Sequence, residues 1–328
     1  MAARVVALAI ATLVVSRPAH AGDDDDYLRR LAATVRTRLD AIVASRAPRP
    51  KPPTPVVVTW KVVRLGSIDL GAPLVALTAA NLDGDKVGEL YAVTPREVVA
   101  IGFRNGKVVE LGRVAFAGDR AVPAPRDDVG TAVVDGGELV AAVSGWAKEL
   151  RIGWKNKQLV AQQGGAGFLV CPGERAQLEP GRNHFTNKTY GVRCRGDLLD
   201  REGQALKLRA ELALTGKLAV SVERCTATGC QASGKQELSN VGAAFEVADI
   251  DRDGTPDVIV SEASAPGAPD SVKVYALGDA KKPRFKKTFN GGVAGLAVID
   301  GDDPDDIPEV IAAVRLSGAT RVDMWRLD

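Results

Sequence analysis

The sequence predicts an all-β protein that closes as a β-propeller of about five four-stranded blades. Three observations predict this fold: short β-prone runs alternate with glycine turns, acidic loops recur between pairs of such runs, and neighbouring repeats follow at steps of 51 to 56 residues. No helical period of 15 residues appears after residue 56. We assign the propeller to residues 56–328, a length that is ample to bury a core.

The spacing of the repeats sets the number of blades. The first strands of four repeats start near residues 74, 130, 243 and 294, and the long gap after 130 leaves room for one further repeat near 186. The last repeat has only 35 residues before the chain ends, and residues 56–73 supply the missing part. We therefore expect five blades, with six or seven as alternatives. Both ends of the propeller would share one blade, which leaves few sheet edges exposed.

Residues 1–21 have the pattern of a secretory signal peptide. Arg4 precedes an apolar run from Val5 to Val15, and Ala19-His20-Ala21 offers small residues for cleavage before Gly22. The run is too short to span a bilayer as a helix, so no transmembrane segment is expected. Glycine rather than cysteine at position 22 disfavours a lipid anchor there. The sequence thus predicts an exported protein that is periplasmic, secreted or associated with the cell surface.

An amphipathic helix is predicted over residues 22–46. Its apolar face recurs at steps of three and four residues and consists of Leu28, Leu31, Val35, Leu39 and Ile42. Residues 47–55 are rich in proline and predict an extended linker. Two structural roles fit this helix: it packs on the propeller, or it serves as a spacer. Two interaction roles are the alternatives: a short coiled-coil oligomerisation segment, or contact with an anionic envelope surface. Because its apolar face is only about four turns long, pairing of this helix with a second copy would be weak, and an oligomer through residues 23–46 has little support.

The loop at residues 249–257 is the most informative segment of the chain. Carboxylates occupy its positions 1, 3, 5 and 9, as Asp249, Asp251, Asp253 and Asp257. Gly254 supplies the turn at position 6, and both flanks are short, apolar and β-prone. Oxygen ligands at this spacing suit Ca²⁺, but strand flanks and Val260 at position 12 exclude an EF-hand. The alternative is an acidic surface turn that binds no ion.

Two further loops repeat the acidic pattern. The loop at residues 81–89 has oxygen donors at the same four positions, as Asn81, Asp83, Asp85 and Glu89. Lys86 replaces the glycine at position 6, which we expect to strain the turn and to add a positive charge. The loop at residues 300–309 has one extra residue, and its best fit uses Asp300, Asp302, Asp305 and Glu309, with Asp303 as a substitute.

These three segments resemble the FG-GAP/VCBS repeats of integrin-α-like β-propellers. The shared pattern is an apolar strand, an acidic loop of the form D-x-[DN]-x-D-G-x-x-D and a second apolar strand. The resemblance covers residues 243–260 most specifically, then 74–93, and more loosely 293–312. It implies that the side chains at positions 1, 3, 5 and 9 bind a structural Ca²⁺ together with the carbonyl at position 7, here Val87 or Thr255. Residues 145–240 contain no complete loop of this kind.

Four cysteines fit a protein in an oxidising compartment. Cys225 and Cys230 flank a predicted hairpin tip, which leaves Cys171 and Cys194 to pair across the region that lacks ion loops. The two other connectivities remain open from the sequence alone. The cysteine spacing fits no common zinc pattern.

Charge and motifs argue against several functional classes. Removal of the leader leaves 41 basic against 41 acidic residues, and no basic patch with interleaved aromatic residues appears, so nucleic-acid binding is not expected. The mature chain keeps one histidine, His184, and lacks a Gly-x-Ser-x-Gly, phosphate-loop or His-Glu-x-x-His motif. The sequence favours a non-catalytic, calcium-binding recognition, adhesion or scaffold module whose ligand is a protein or a glycan.

One enzymatic alternative remains. It is an exported polysaccharide-active hydrolase or lyase on the same scaffold, with acids such as Asp127 and Asp128 at a loop face. Adjacent acids rarely converge on one substrate, so this alternative needs a carboxylate pair about 5–10 Å apart at one propeller mouth. Four aromatic residues serve either as ligand contacts or as core: Trp146, Trp154, Phe168 and Trp325.

Overall fold

The structure is a computed structural model of the 328-residue chain. It describes residues 31–32, 34–35, 51–85, 87–118, 128–226, 229–265, 268–299, 307–316 and 320–328. The chain divides into two compact units, residues 1–49 and 50–328. In the first unit, residues 31–32 and 34–35 are helical, whereas the predicted signal peptide and most of the predicted helix lie outside the described residues. No helix within the described ranges is long and apolar enough to cross a membrane.

The second unit is built from β-strands. The strands of its first half are β1 (Val62–Asp69), β2 (Ala76–Ala80), β3 (Glu89–Val93), β4 (Glu97–Arg104), β5 (Lys107–Ala115), β6 (Gly130–Asp135), β7 (Glu138–Val143), β8 (Leu150–Lys155), β9 (Gln158–Gln163), β10 (Phe168–Cys171) and β11 (Glu174–Ala176). Those of its second half are β12 (Thr189–Leu199), β13 (Ala205–Ala213), β14 (Leu218–Thr226), β15 (Gly229–Leu238), β16 (Val241–Ala248), β17 (Asp257–Glu262), β18 (Asp270–Ala276), β19 (Phe285–Phe289), β20 (Val293–Ile299), β21 (Glu309–Arg315) and β22 (Arg321–Leu327).

These strands form five four-stranded antiparallel sheets, which are the blades of a propeller. Blades 1 to 4 are β2–β5, β6–β9, β12–β15 and β16–β19. Blade 5 has the order β20-β21-β22-β1, so its outermost strand comes from the start of the propeller and pairs with the last strand of the chain, with Val62 opposite Leu327. The predicted closure by both chain ends and the five-blade count are therefore confirmed, and the extra repeat expected near residue 186 is blade 3.

A two-stranded hairpin fills the one gap in the ring. The first strands of neighbouring blades contact each other around the axis, except that β10 packs between β6 and β12. Phe168 and Val170 of this hairpin form a buried cluster with Phe185 and with Val192 of blade 3. The disulfide between Cys171 and Cys194, with Cα atoms 5.4 Å apart, ties the hairpin to blade 3.

The second disulfide joins Cys225 and Cys230 across the tip of the β14–β15 hairpin, with Cα atoms 4.0 Å apart. Both pairings agree with the sequence prediction, and neither alternative connectivity occurs. The two disulfides indicate an oxidising environment, as expected for an exported protein.

The core lies between the blades. Strands with a continuous apolar run are buried along their length: all five residues of β3 and the first six of β21 are buried. Glycines on first strands allow close approach of neighbouring blades: a Cβ on Gly295 would lie 2.8 Å from the Cβ of Leu77, and one on Gly130 would lie 2.6 Å from Val75. The Asn105-Gly106 turn between β4 and β5 has both residues at positive φ, as a tight hairpin requires.

Candidate functional site

The three acidic loops occupy the same place in three blades. They connect the first strand to the second: β2 to β3 in blade 1, β16 to β17 in blade 4, and β20 to β21 in blade 5. Blade 2 makes this connection with Gly136-Gly137, and blade 3 makes it with residues 200–204. The acidic loops therefore lie at one end of the ring, where the first strands finish.

The loop at residues 249–257 gathers three carboxylates. One oxygen each from Asp249, Asp251 and Asp257 lies within 4.8 Å of the others. Asp257 begins β17 and is 2% exposed, and Asp249 is 9% exposed. The Oδ2 of Asp249 accepts a hydrogen bond from the Gly254 N–H at 2.9 Å, whereas its Oδ1 is buried without a hydrogen-bond partner. A buried oxygen of this kind is costly unless a cation or donor meets it.

Burial and mutual repulsion perturb these carboxylates. Burial raises the pKa of Asp257 to about 7; Arg284 opposes this rise, and Asp251 adds to it. Burial also raises the pKa of Asp249 to about 6; the Gly254 N–H opposes this rise, and Asp251 and Asp253 add to it. The cluster therefore holds more negative charge than its own hydrogen bonds can stabilise.

Two arginines from outside the loop supply part of the missing positive charge. The Nη1 of Arg284, which directly precedes β19, lies 2.9 Å from the Oδ2 of Asp251 and 3.2 Å from the Oδ1 of Asp257. Arg201 of blade 3 binds the Oδ2 of Asp253 at 2.8 Å and its carbonyl oxygen at 2.7 Å. Asp253, predicted at position 5 of the ligand set, thus pairs with an arginine and is not one of the three gathered carboxylates.

The backbone of this loop needs glycine at position 6. Gly254 has φ of +77°, and a Cβ on it would lie 2.4 Å from the backbone nitrogen of Arg201. Position 4 is also left-handed, since Arg252 has φ of +50°. The loop at residues 81–89 shares this feature through Gly84 at position 4, with φ of +78°. Position 6 of that loop, Lys86, lies outside the described residues.

The loop at residues 81–89 gathers its own three carboxylates. Asp83, Asp85 and Glu89 bring one oxygen each within 4.8 Å of the others. Asn81 closes the turn instead, accepting a hydrogen bond from the Gly84 N–H at 3.0 Å and donating one to the carbonyl oxygen of Asp85. Asp83 and Asp85 are exposed, whereas Glu89 is 3% exposed. This cluster is therefore more open to solvent than the one at residues 249–257.

A hydrogen-bond chain connects Glu89 to the next blade. The hydroxyl of Tyr91 donates to the Oε2 of Glu89 at 2.8 Å and accepts from the Nε1 of Trp154, on β8 of blade 2, at 2.8 Å. Burial raises the pKa of Glu89, and the hydrogen bonds from Leu82 and Tyr91 oppose this rise. Burial also raises the pKa of Tyr91, which keeps its hydroxyl protonated as the donor.

The third loop is described only in part. Asp300, Asp302, Asp303 and Asp305 lie outside the described residues. Glu309, the first residue of β21, is 2% exposed, and its Oε1 lies 2.9 Å from Nη1 of Arg326. The ligand register of this loop stays a prediction.

Each end of the ring opens into a cavity. The cavity of about 650 Å³ where the first strands end includes Asn81, Arg195 and Glu246, and Arg193 faces Glu246 there at 3.7 Å. The cavity of about 690 Å³ at the opposite mouth, where the first strands begin, includes Asp128 and Arg315. Asp127 lies outside the described residues.

The aromatic residues considered as ligand contacts belong to the core clusters. Trp146 and Phe168 are 6% and 7% exposed, and Trp154 and Trp325 pack partly buried against neighbouring clusters. None of these four residues lines either cavity. Sequence reasoning missed Arg201, Arg284 and the Tyr91–Trp154 contact, because each joins segments that are far apart along the chain.

Comparisons with known proteins give no family. No protein-family profile and no curated protein match the chain. Among solved structures, BBS1N in complex with ARL6DN aligns at 13% identity over 84% of this chain and 98% of that one, with a TM-score of 0.44. The SapL1 lectin in complex with alpha-methyl fucoside aligns at 10% identity over 76% of this chain and 78% of that one, with a TM-score of 0.30.

A putative oxidoreductase (glucose dehydrogenase) from Thermus thermophilus aligns at 13% identity over 82% of this chain and 100% of that one, with a TM-score of 0.33. Likenesses at this level carry no argument about the ligand or activity of this chain. The fold assignment rests on its own strand pairing.

Proposed function

We propose that this protein is an exported, non-catalytic β-propeller that Ca²⁺ stabilises and that recognises a protein or glycan ligand. The single observation that carries the calcium part is the cluster of Asp249, Asp251 and Asp257: one oxygen of each lies within 4.8 Å of the others, and the Oδ1 of Asp249 is buried without a hydrogen-bond partner. A divalent cation bound there would meet this oxygen and remove the repulsion among the three acids.

The donor set favours a hard cation. All three gathered side chains offer carboxylate oxygens, and the carbonyl oxygen of Thr255 is the further ligand that the FG-GAP/VCBS resemblance implies. Ca²⁺ accepts six to eight oxygens in flexible geometry, whereas Mg²⁺ demands a near-ideal octahedron. We expect affinities in the range of extracellular modules, about 10⁻⁴–10⁻³ M.

The ion would act on the fold by joining strands. In blade 4 the loop ties β16 to β17, and Arg201 connects it to blade 3. In blade 1 the loop ties β2 to β3, and Tyr91 connects it to blade 2 through Trp154. Ca²⁺ at either loop would therefore stabilise contacts between blades as well as the loop itself, by binding the folded loop better than the unfolded chain.

The recognition part of the proposal rests on the two axial cavities. Each has a volume in the range of small-molecule and peptide sites and lies where several blades converge. Asp270 is one of the acids at the mouth where the first strands begin. Its carboxylate accepts hydrogen bonds from the backbone N–H groups of Ser271 and Val293, at 2.6 and 2.9 Å. This use of its carboxylate is structural and supports a binding role over acid–base chemistry.

Thermal unfolding tests the calcium part. The exported chain is melted in excess chelator, in millimolar Ca²⁺ and in millimolar Mg²⁺. We expect Ca²⁺ to raise the melting temperature more than Mg²⁺ does, and Asp249→Asn to remove part of that rise. Glu223→Gln, an exposed acid on β14, is the matched control and should keep the full rise. Equal melting temperatures with chelator and Ca²⁺ would contradict the proposal.

A further inference from the structure

The mouth where the first strands begin contains an arginine that the fold leaves without a counter-charge. Strands of blades 3, 4 and 5 and the segments that lead into β2 and β6 line its cavity of about 690 Å³, and Arg315 at the end of β21 is one of the lining residues. Arg315 is partly buried, and its Nε is buried without a hydrogen-bond partner. Its guanidinium forms no ion pair within the described part of the chain. A ligand anion at this guanidinium would supply a counter-charge and a partner for the Nε.

The acids in the same cavity are engaged with other groups. Asp270 accepts N–H groups of Glu262, Ser271 and Val293 at 3.0, 2.6 and 2.9 Å. The carboxylate of Glu262 pairs with Lys273 and, at 3.5 Å, with Lys286. Asp128 accepts a hydrogen bond from the hydroxyl of Ser144 at 3.0 Å. None of these three acids forms an ion pair with Arg315.

Arginines elsewhere in the ring show the contrast. Arg193 at the opposite mouth lies 3.7 Å from Glu246, and Arg64 binds both oxygens of Asp323 at 3.0 and 2.7 Å. The planar guanidinium is suited to this kind of two-point contact with a carboxylate. A ligand carboxylate would complete the same contact at Arg315.

The walls of the cavity indicate what the rest of the ligand is like. They are mainly aliphatic, including Leu74, Val75, Leu212, Val241 and Leu214, of which Leu214 is 47% exposed. The only aromatic side chain among the lining residues of the described chain is Tyr190. Little aromatic surface is therefore available for stacking against a sugar ring.

We propose that this mouth binds the carboxylate of a peptide C-terminus, with Arg315 holding the carboxylate and the aliphatic wall holding apolar terminal side chains. The volume suits a short peptide segment, whereas a small free acid would leave most of it unfilled. This inference deepens the recognition role in the proposed function by naming the ligand class. It does not depend on Ca²⁺ at the acidic loops, which lie at the other end of the ring.

The test uses the whole exported chain and a library of tetrapeptides ending in Leu, Val or Ile, each made as the free acid and as the C-terminal amide. Binding is measured by calorimetry at low salt, with hexanoate and a digalacturonate as further probes. We expect at least one free-acid peptide to bind, its amide to bind about tenfold to a hundredfold more weakly, and hexanoate to bind weakly. Comparison of acid with amide uses the unmodified protein and so is independent of any variant's folding.

Variants locate the site. Arg315→Gln should lose the preference for acid over amide, whereas Arg104→Gln, an exposed arginine on β4 that does not line the cavity, should keep it. Equal binding of acid and amide, binding of digalacturonate but of no peptide, or no binding by any probe would each overturn the inference. If peptide binding persists in chelator while Ca²⁺ leaves the melting temperature unchanged, the calcium proposal fails and this inference stands.

Discussion

Replacing Arg284 by glutamine separates the two ways in which the 249–257 loop is neutralised. In the absence of Ca²⁺, the Nη1 of Arg284 is the group that meets both Asp251 and Asp257, at 2.9 and 3.2 Å. Glutamine keeps a polar side chain of similar reach and removes the charge. The ion and the guanidinium serve the same two carboxylates, so removing the guanidinium should harm the ion-free protein more than the calcium-loaded protein.

The expected magnitude follows from burial. Asp257 is 2% exposed, and breaking a buried ion pair costs about 3–5 kcal/mol. The side chain of Arg284 is 36% exposed, which lowers this figure through solvent screening to about 1–2 kcal/mol. For a domain of this size, each kcal/mol shifts the melting temperature by roughly 2–4 °C. We therefore expect Arg284→Gln to lower the melting temperature in chelator by about 2–8 °C.

The assay is thermal unfolding in chelator and in saturating Ca²⁺, with circular dichroism as the probe of unfolding. We expect the loss in Ca²⁺ to be less than half the loss in chelator, and the calcium-induced rise to be larger in the variant than in the unmodified protein. Lys282→Gln, an exposed lysine two residues earlier, is the matched control and should behave like the unmodified protein. An equal loss under both conditions would refute the reasoning, because Arg284 would then act on the fold independently of the ion.

Two further predictions concern the hydrogen-bond chain and the effect of pH. Tyr91→Phe removes the hydroxyl between Glu89 and Trp154. Chemical denaturation should therefore give an unfolding free energy that is lower by about 1–3 kcal/mol. An unchanged denaturation midpoint would show that these two hydrogen bonds do not stabilise the fold. The raised pKa values of Asp257 and Asp249, about 7 and about 6, give stability at low pH that is lost as pH rises through them. In chelator, the melting temperature of the unmodified protein relative to Asp257→Asn should therefore fall between about pH 4, near the ordinary pKa of an aspartate, and about pH 7. A constant difference across this range would contradict the prediction.

Repeat spacing and the residue count at the two chain ends were enough to predict the ring. Residues 56–73 complete the last repeat, and β1 does pair with β22 in blade 5. The gap in the repeat series near residue 186 holds blade 3, which lacks the acidic loop pattern of the other repeats. Blade 3 contains the Cys225–Cys230 disulfide and also Cys194, which pairs with Cys171 of the β10–β11 hairpin. These features are local in sequence or follow from counting, which is why they were predictable.

The remaining features depend on contacts between distant segments. Arg201 and Arg284 lie 52 and 33 residues from the loop acids that they bind, and nothing in their own neighbourhood marks them. The short hairpin of β10 and β11 was not predicted, because its role is to fill the space between β6 and β12, a property of the closed ring. Position 4 of the acidic loops is left-handed at Gly84 and at Arg252, and because these are different residue types the sequence does not mark that turn in both loops.

A crystal structure grown in millimolar Ca²⁺, with anomalous diffraction data, tests the central claim most directly. The account predicts an anomalous peak at the 249–257 loop, about 2.3–2.6 Å from the Oδ1 of Asp249 and from oxygens of Asp251 and Asp257. Arg284 should then have moved away from both acids. Absence of a peak, with Arg284 still bound to Asp251 and Asp257, would contradict the claim that Ca²⁺ stabilises this propeller through that loop.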